Sequence, residues 1–116
     1  MAKPKPPSGT PAIGDAVMAE RIVALGQRIR AARMHRQWRQ VDLAERAGLS
    51  RSTIEAIERG EMGTAIGAYL QVLWTMGLDR ELDLIADPGL DREGLALTIS
   101  TADKRVRPAR KLDNAF

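Results

Sequence analysis

The sequence contains no cysteine and a single histidine, His35. Disulfides and thiolate metal sites are therefore excluded, and a lone histidine without a second ligand of its kind leaves no zinc site. Absence of disulfides fits a reducing compartment. Aromatic residues number four: two tryptophans, one tyrosine and one phenylalanine. That is too few for a platform on which single-stranded bases stack, which argues against an aromatic RNA-binding module. No apolar run approaches the length of a membrane span, and the amino-terminal stretch lacks a signal-peptide core. No nucleophile stands beside a base and no glycine-rich phosphate loop is present, so an enzyme is not expected. The expectation is a cytoplasmic protein without cofactor, metal or catalytic residue.

What is present is arginine. The net charge of +3 over 116 residues is modest, but Arg28, Arg30, Arg33, Arg36, Arg39, Arg46, Arg51 and Arg59 crowd one region, against Asp42, Glu45, Glu55 and Glu58. Residues 79–93 are acidic and 104–111 basic again. One basic face suits a polyanion, the other something else.

The chain is organised around RQVDLAERAGLSRSTIEAIERG, residues 39–60. Gly48 can take the left-handed conformation that closes a helix. Ser50 is a good N-cap for the next one, and Leu49 and Ile54 are spaced as a hydrophobic staple. Ala44 and Ala47 allow two helices to approach closely, and Ile54 and Ile57 point the second inward. Arg51, Ser52, Glu55 and Arg59 then face out. A short helix with small, polar and basic residues at its exposed start suits the DNA major groove.

Arg33, Gln40, Leu43-Ala44, Ala47-Gly48-Leu49-Ser50, Thr53-Ile54 and Glu58-Arg59-Gly60 together resemble the Xre, or lambda-repressor-like, helix-turn-helix family over roughly residues 22–78. The structural alternative is a helical hairpin in some other bundle. The resemblance implies an all-α, five-helix domain that binds double-stranded DNA. It implies an ion pair between Arg33 and Glu58, since an arginine at the core edge needs a partner. It also places Gln40 on DNA from the start of the second helix. Of the candidate DNA-binding residues, Arg51 is the main base reader, through two bonds to guanine. Ser52 and Thr53 meet base edge or phosphate, and Glu55 accepts from cytosine or tunes Arg51 and Arg59. Arg39 and Arg59 are backbone clamps. Two departures stand out. Arg39 replaces a common threonine and cannot cap as threonine does, which predicts a weaker helix start. Ala56 replaces a longer polar residue.

Along the rest of the chain, residues 1–14 hold most of the prolines and read as a disordered arm. The domain is expected over 15–88. Its first helix runs from about Asp15 to Arg36 with the stripe Ile22, Leu25, Ile29 and Ala32 inward. Trp38 plugs the turn after it. Thr64 is expected to cap a fourth helix, about 65–76, closed by Gly77, with Ile66, Leu70 and Leu73 inward. Tyr69, Val72, Trp74 and Met76 leave that helix apolar nearly all round, so part of it is expected to meet a second copy or a neighbouring helix. A short helix follows from Asp79 to about Ala86. Residues 89–101 read as a dimerisation segment. Within it Leu95, Leu97 and Ile99 alternate with Ala96 and Thr98, which predicts a short β-strand after Gly94, a short helix being the alternative. A lone strand must pair with its copy or another protein. Residues 102–116 read as a flexible basic tail.

The layout is similar to HipB-type antitoxins of the same family. That likeness implies a homodimeric repressor of its own operon, acting on a palindromic operator, with a HipA-type kinase toxin as partner and a C-terminal strand paired across the dimer. It also implies a bacterial, nucleoid-associated protein with no membrane partner. A stand-alone Xre regulator, or an interaction module that has lost DNA binding, are the alternatives.

Overall fold

The computed structural model describes residues 13–105, and side chains for 15–102. The expected proline-rich arm and most of the basic tail fall outside these residues. Five α-helices and one 3-10 helix follow in order: α1 Ile13–His35, α2 Gln40–Ala47, α3 Arg51–Arg59, α4 Ile66–Thr75, the 3-10 helix Arg80–Leu84, and α5 Arg92–Arg105. The fold is all-α, with no strand among the described residues. The chain divides into two compact units, one closing at Asp79 and one opening at Arg80.

In the first unit a small core joins four helices. Ile29 of α1, Leu43, Ala44 and Ala47 of α2, and Ile54 and Ile57 of α3 are buried, with Tyr69, Val72 and Met76 from the α4 segment. Ile22, Leu25, Ala32, Trp38 and Leu49 pack around them. The alanines of α2 leave room for the steep crossing that a three-residue turn demands. Gly48 adopts φ 71°, and the next amide returns to Ala44 O at 2.9 Å. Ser50 then caps α3, its Oγ accepting from the Thr53 N–H at 3.2 Å. Gln37 takes a left-handed φ of 59° after α1, and Trp38 N–H bonds back to Arg33 O at 3.3 Å.

Two glycines set how closely α3 meets α1. A methyl group on Gly26 would stand 2.5 Å from Ile57 O and 2.8 Å from Glu58 O. One on Gly60 would collide with Val23 Cα and stand 2.8 Å from Ile22 O. Backbone therefore rests on backbone at the C-terminal end of α3. Gly60 also needs its φ of 76° to close that helix, a region costly for any residue with a Cβ.

Four expectations change here. In α4 the inward face is Tyr69, Val72 and Met76, whereas Ile66 is 74% and Leu70 37% exposed, leaving only Leu73 of the expected stripe partly buried. The helix is apolar nearly all round, and its polar groups mark the faces: the Tyr69 hydroxyl inward, donating to Glu61 O at 3.2 Å, and the exposed Gln71 outward. Residue Ala65, not Thr64, is the N-cap, and no side chain caps the helix. The segment 95–99 is helix, inside α5. Asp91 Oδ1 accepts from the Gly94 N–H at 2.9 Å and the Leu95 N–H bonds to Asp91 O at 3.0 Å. Asp91 is thus an N-cap, and Gly94 lies in the first turn of the helix. In the second unit, the short helix expected from Asp79 is the 3-10 turn Arg80–Leu84, with none of its residues buried.

Candidate nucleic-acid interface

The start of α2 is tied down by a route that differs from a threonine cap. Asp42, at the third helical position, reaches back: its Oδ2 accepts from the Arg39 N–H at 2.7 Å and from Arg39 Nε at 3.1 Å, and its Oδ1 accepts from Nη2 at 3.0 Å. Arginine offers no acceptor, so only the acidic half of a capping box is chemically present. The acceptor that a threonine would add is missing, as expected, and Asp42 holds the helix start from its own side. Hydrogen bonding to Arg39 holds the Asp42 carboxyl at about 2, and the same contact raises the Arg39 guanidinium.

Gln40 follows, half-buried, and donates from Nε2 to Glu58 Oε1 at 3.0 Å. Glu58 lies in the last turn of α3 and is 8% exposed, as is Arg33. Their pairing is two-armed, Arg33 Nε to Glu58 Oε2 at 2.6 Å and Nη2 to Oε1 at 3.0 Å. Arg33 Nη1 also donates to Trp38 O at 2.8 Å. The buried guanidinium so joins α1, the turn after it and α3, and Glu58 adds α2 through Gln40. Its Nε, Nη1 and Nη2 each donate to a carboxylate or carbonyl oxygen, which is what makes a charge tolerable there.

At the start of α3 the Ser50 hydroxyl lies 3.1 Å from Ser52 Oγ and 2.8 Å from Thr53 Oγ1. Arg51 projects from the same end, 65% exposed at its side chain, with Nη2 3.4 Å from Glu55 Oε2 one turn on. A shallow depression of about 330 Å³ is lined by Arg39, Gln40, Val41 and Arg51. The starts of α2 and α3 thus open on one surface, with two cations at its edge. Arg59, at the far end of α3, does not line it. Its Nε and Nη2 both bind Glu61 Oε2, at 3.0 and 2.6 Å, and that contact raises its guanidinium.

The arginine cluster read from the sequence is therefore sorted by partner. Arg33 is buried. Arg36 bonds Ala32 O at 2.8 Å and Met76 O at 2.9 Å, tying the end of α1 to that of α4. Arg46 lies over the Trp38 ring, 4.3 Å from its centroid. Arg39, Arg51 and Arg59 face solvent with a carboxylate each.

A profile of the helix-turn-helix domain matches residues 24–84, more than half of the chain. The chain belongs to the helix-turn-helix family. The type is Xre or lambda-repressor-like, and in this family α2 and α3 are the two helices of the motif. Membership carries the coarse function of a DNA-binding regulator. No curated protein and no solved structure matches the chain.

On the helix-turn-helix surface Glu61 has a role that the sequence reading does not give it. Glu61 stands across the closing glycine from Arg59, so no helical spacing announces the pair. Tyr69, read from the sequence only as part of an apolar helix, is buried behind it, and the rule that a buried phenol finds an acceptor accounts for its bond to Glu61 O. No helix among the described residues is long and apolar enough to cross a membrane.

Proposed function

We propose that this helix-turn-helix chain is a sequence-specific transcriptional repressor that binds a palindromic operator as a homodimer, with α3 in the major groove. The observation that carries the reading is the shared surface at the starts of α2 and α3. Free amides and an arginine at each helix start suit phosphate on one side and base edges on the other. Arg51 then reads a base, Arg39 and Arg59 meet phosphate, and Gln40, Ser52, Thr53 and Glu55 complete the contact. Dimerisation is supported by α4, where Ile66, Leu70 and Trp74 form an exposed apolar stripe, Trp74 at 64%.

Fluorescence anisotropy with the duplex just upstream of the reading frame, against a shuffled duplex, tests this. Preference for the native duplex at two chains per site is expected. Arg51→Ala should lose about 1–3 kcal/mol at one base position only. Equal affinity for both duplexes, or a uniform loss on Arg51→Ala, would overturn the assigned readout.

A narrower reading makes the chain an antitoxin with a HipA-type kinase toxin as partner. It rests on resemblance alone, since the segment expected to pair as a strand is helical. Co-purification with the product of the adjacent reading frame tests it. The contrasting reading, an interaction module without DNA affinity, is favoured by the carboxylate held against Arg39, Arg51 and Arg59. The same titration separates it.

A further inference from the structure

The exposed ridge of the motif is an alternating ladder. Arg51, Glu55 and Arg59 recur every fourth residue on α3, hence on one face, and Glu61 continues the alternation past the cap. Arg51 meets Glu55 at 3.4 Å and Arg59 meets Glu61 at 2.6 Å. On α2, Arg39 is held by Asp42 at 3.0 Å. Three cations face three anions, so a surface offered to a polyanion is locally neutral. The Glu61 end is fixed in place: its N–H bonds to Ala56 O at 3.1 Å, and its carbonyl accepts from Tyr69.

We propose that Asp42, Glu55 and Glu61 suppress binding to random-sequence DNA: each holds its own arginine, Arg39, Arg51 or Arg59, so that a duplex must displace a carboxylate before it gains the contact. This rests on the DNA-binding reading above. An exposed arginine–carboxylate pair is weak, worth roughly two- to five-fold in an equilibrium, so each can exchange its carboxylate for phosphate. Counterions decide the consequence. A free guanidinium that neutralises a phosphate releases a condensed cation and adds about 0.9 to the salt slope. A guanidinium drawn from a carboxylate leaves that carboxylate to recruit a cation, and the gain cancels. Random-sequence DNA offers phosphates alone and is disfavoured; a matched site adds base contacts and is not.

The test is Glu61→Gln in the full chain, titrated against a random-sequence duplex pool at several salt concentrations. Glu20→Gln on α1 makes the same change of net charge on an element that supplies none of the pairs. Arg59→Gln/Glu61→Gln removes both partners and is compared with Arg59→Gln. E61Q should bind the pool roughly two- to five-fold tighter, with a salt slope steeper by about 0.9. E20Q should keep the wild-type slope, and E61Q should have no effect when Arg59 is already glutamine. An unchanged E61Q slope, an equal effect from E20Q, or an undiminished effect without Arg59 overturns the proposal. If wild type and every variant fail to bind any duplex at low salt, the DNA-binding reading falls with it. If wild type binds and only the slopes fail to move, this inference falls alone.

Discussion

Glu58→Ala removes the acceptor at the centre of the motif. The carboxylate takes two bonds from Arg33, at 2.6 and 3.0 Å, and one from Gln40 at 3.0 Å. After truncation, a guanidinium only 8% exposed keeps a single partner, the Trp38 carbonyl. Leaving one member of a buried pair uncompensated costs about 3–5 kcal/mol. Small domains hold only about 5–15 kcal/mol in total, so a large share of the stability goes. At roughly 4–8 °C per kcal/mol for a domain of this size, Tm should fall by at least roughly 12 °C. Urea unfolding followed by far-ultraviolet circular dichroism measures the loss. Arg33→Met/Glu58→Leu should recover most of it, because matched apolar replacements of buried pairs are often neutral. A cost below about 1 kcal/mol for E58A would place the pair with exposed ones. A double variant no more stable than E58A would show that the network, not the stranded charge, sets the cost.

Two further outcomes follow from the same geometry. Gly48 and Gly60 share a left-handed φ, but only Gly60 faces backbone. Gly48→Ala should therefore cost about 1–2 kcal/mol, and Gly60→Ala, which adds overpacking, roughly 2–5 kcal/mol; equal urea midpoints would refute the close contact with α1. Tyr69 is the single tyrosine, and burial, with the Glu61 charge second, raises its phenol above 10.0. A raised folded value favours the neutral phenol, so its contribution is full below pH 10.0 and is lost as pH climbs through the folded value. Ultraviolet titration of the phenolate should show a midpoint above 10.0 in the folded chain, and an unshifted one would contradict the buried placement.

Local chemistry made much of the motif legible. Gly48, Ser50 and Leu49 with Ile54 follow from a cap or a staple; the intolerance of an unpaired buried charge asks for a partner to Arg33, and the family resemblance names Glu58. The misreadings share one physical origin, short apolar runs without a decisive period. Residues 95–99 alternate over only five positions, a length at which strand and helix patterns overlap; Asp91, three residues before Gly94, was the helix-start signal. In α4 apolar residues recur nearly all round; the exposed Gln71, nearly opposite Tyr69 on the helix, and the Tyr69 hydroxyl were the polar clues to its orientation. The charge state of the candidate surface was half legible. Asp42 and Glu55 sit three and four residues from their arginines, within side-chain reach on a helix. Glu61 sits two residues from Arg59, past the turn at Gly60, so no helical spacing gives that pair.

The contact of Gly26 with α3 and of Gly60 with α1 has a bearing on retargeting. Where side chains separate two helices, a change on one is absorbed by tilting or sliding the other. Here the spacing is set by main-chain atoms, common to every sequence, so the angle at which α3 is presented does not depend on its outward residues. Arg51, Ser52, Glu55 and Ala56 can then be exchanged like type in a fixed printing block, changing what is read without changing how the block is held.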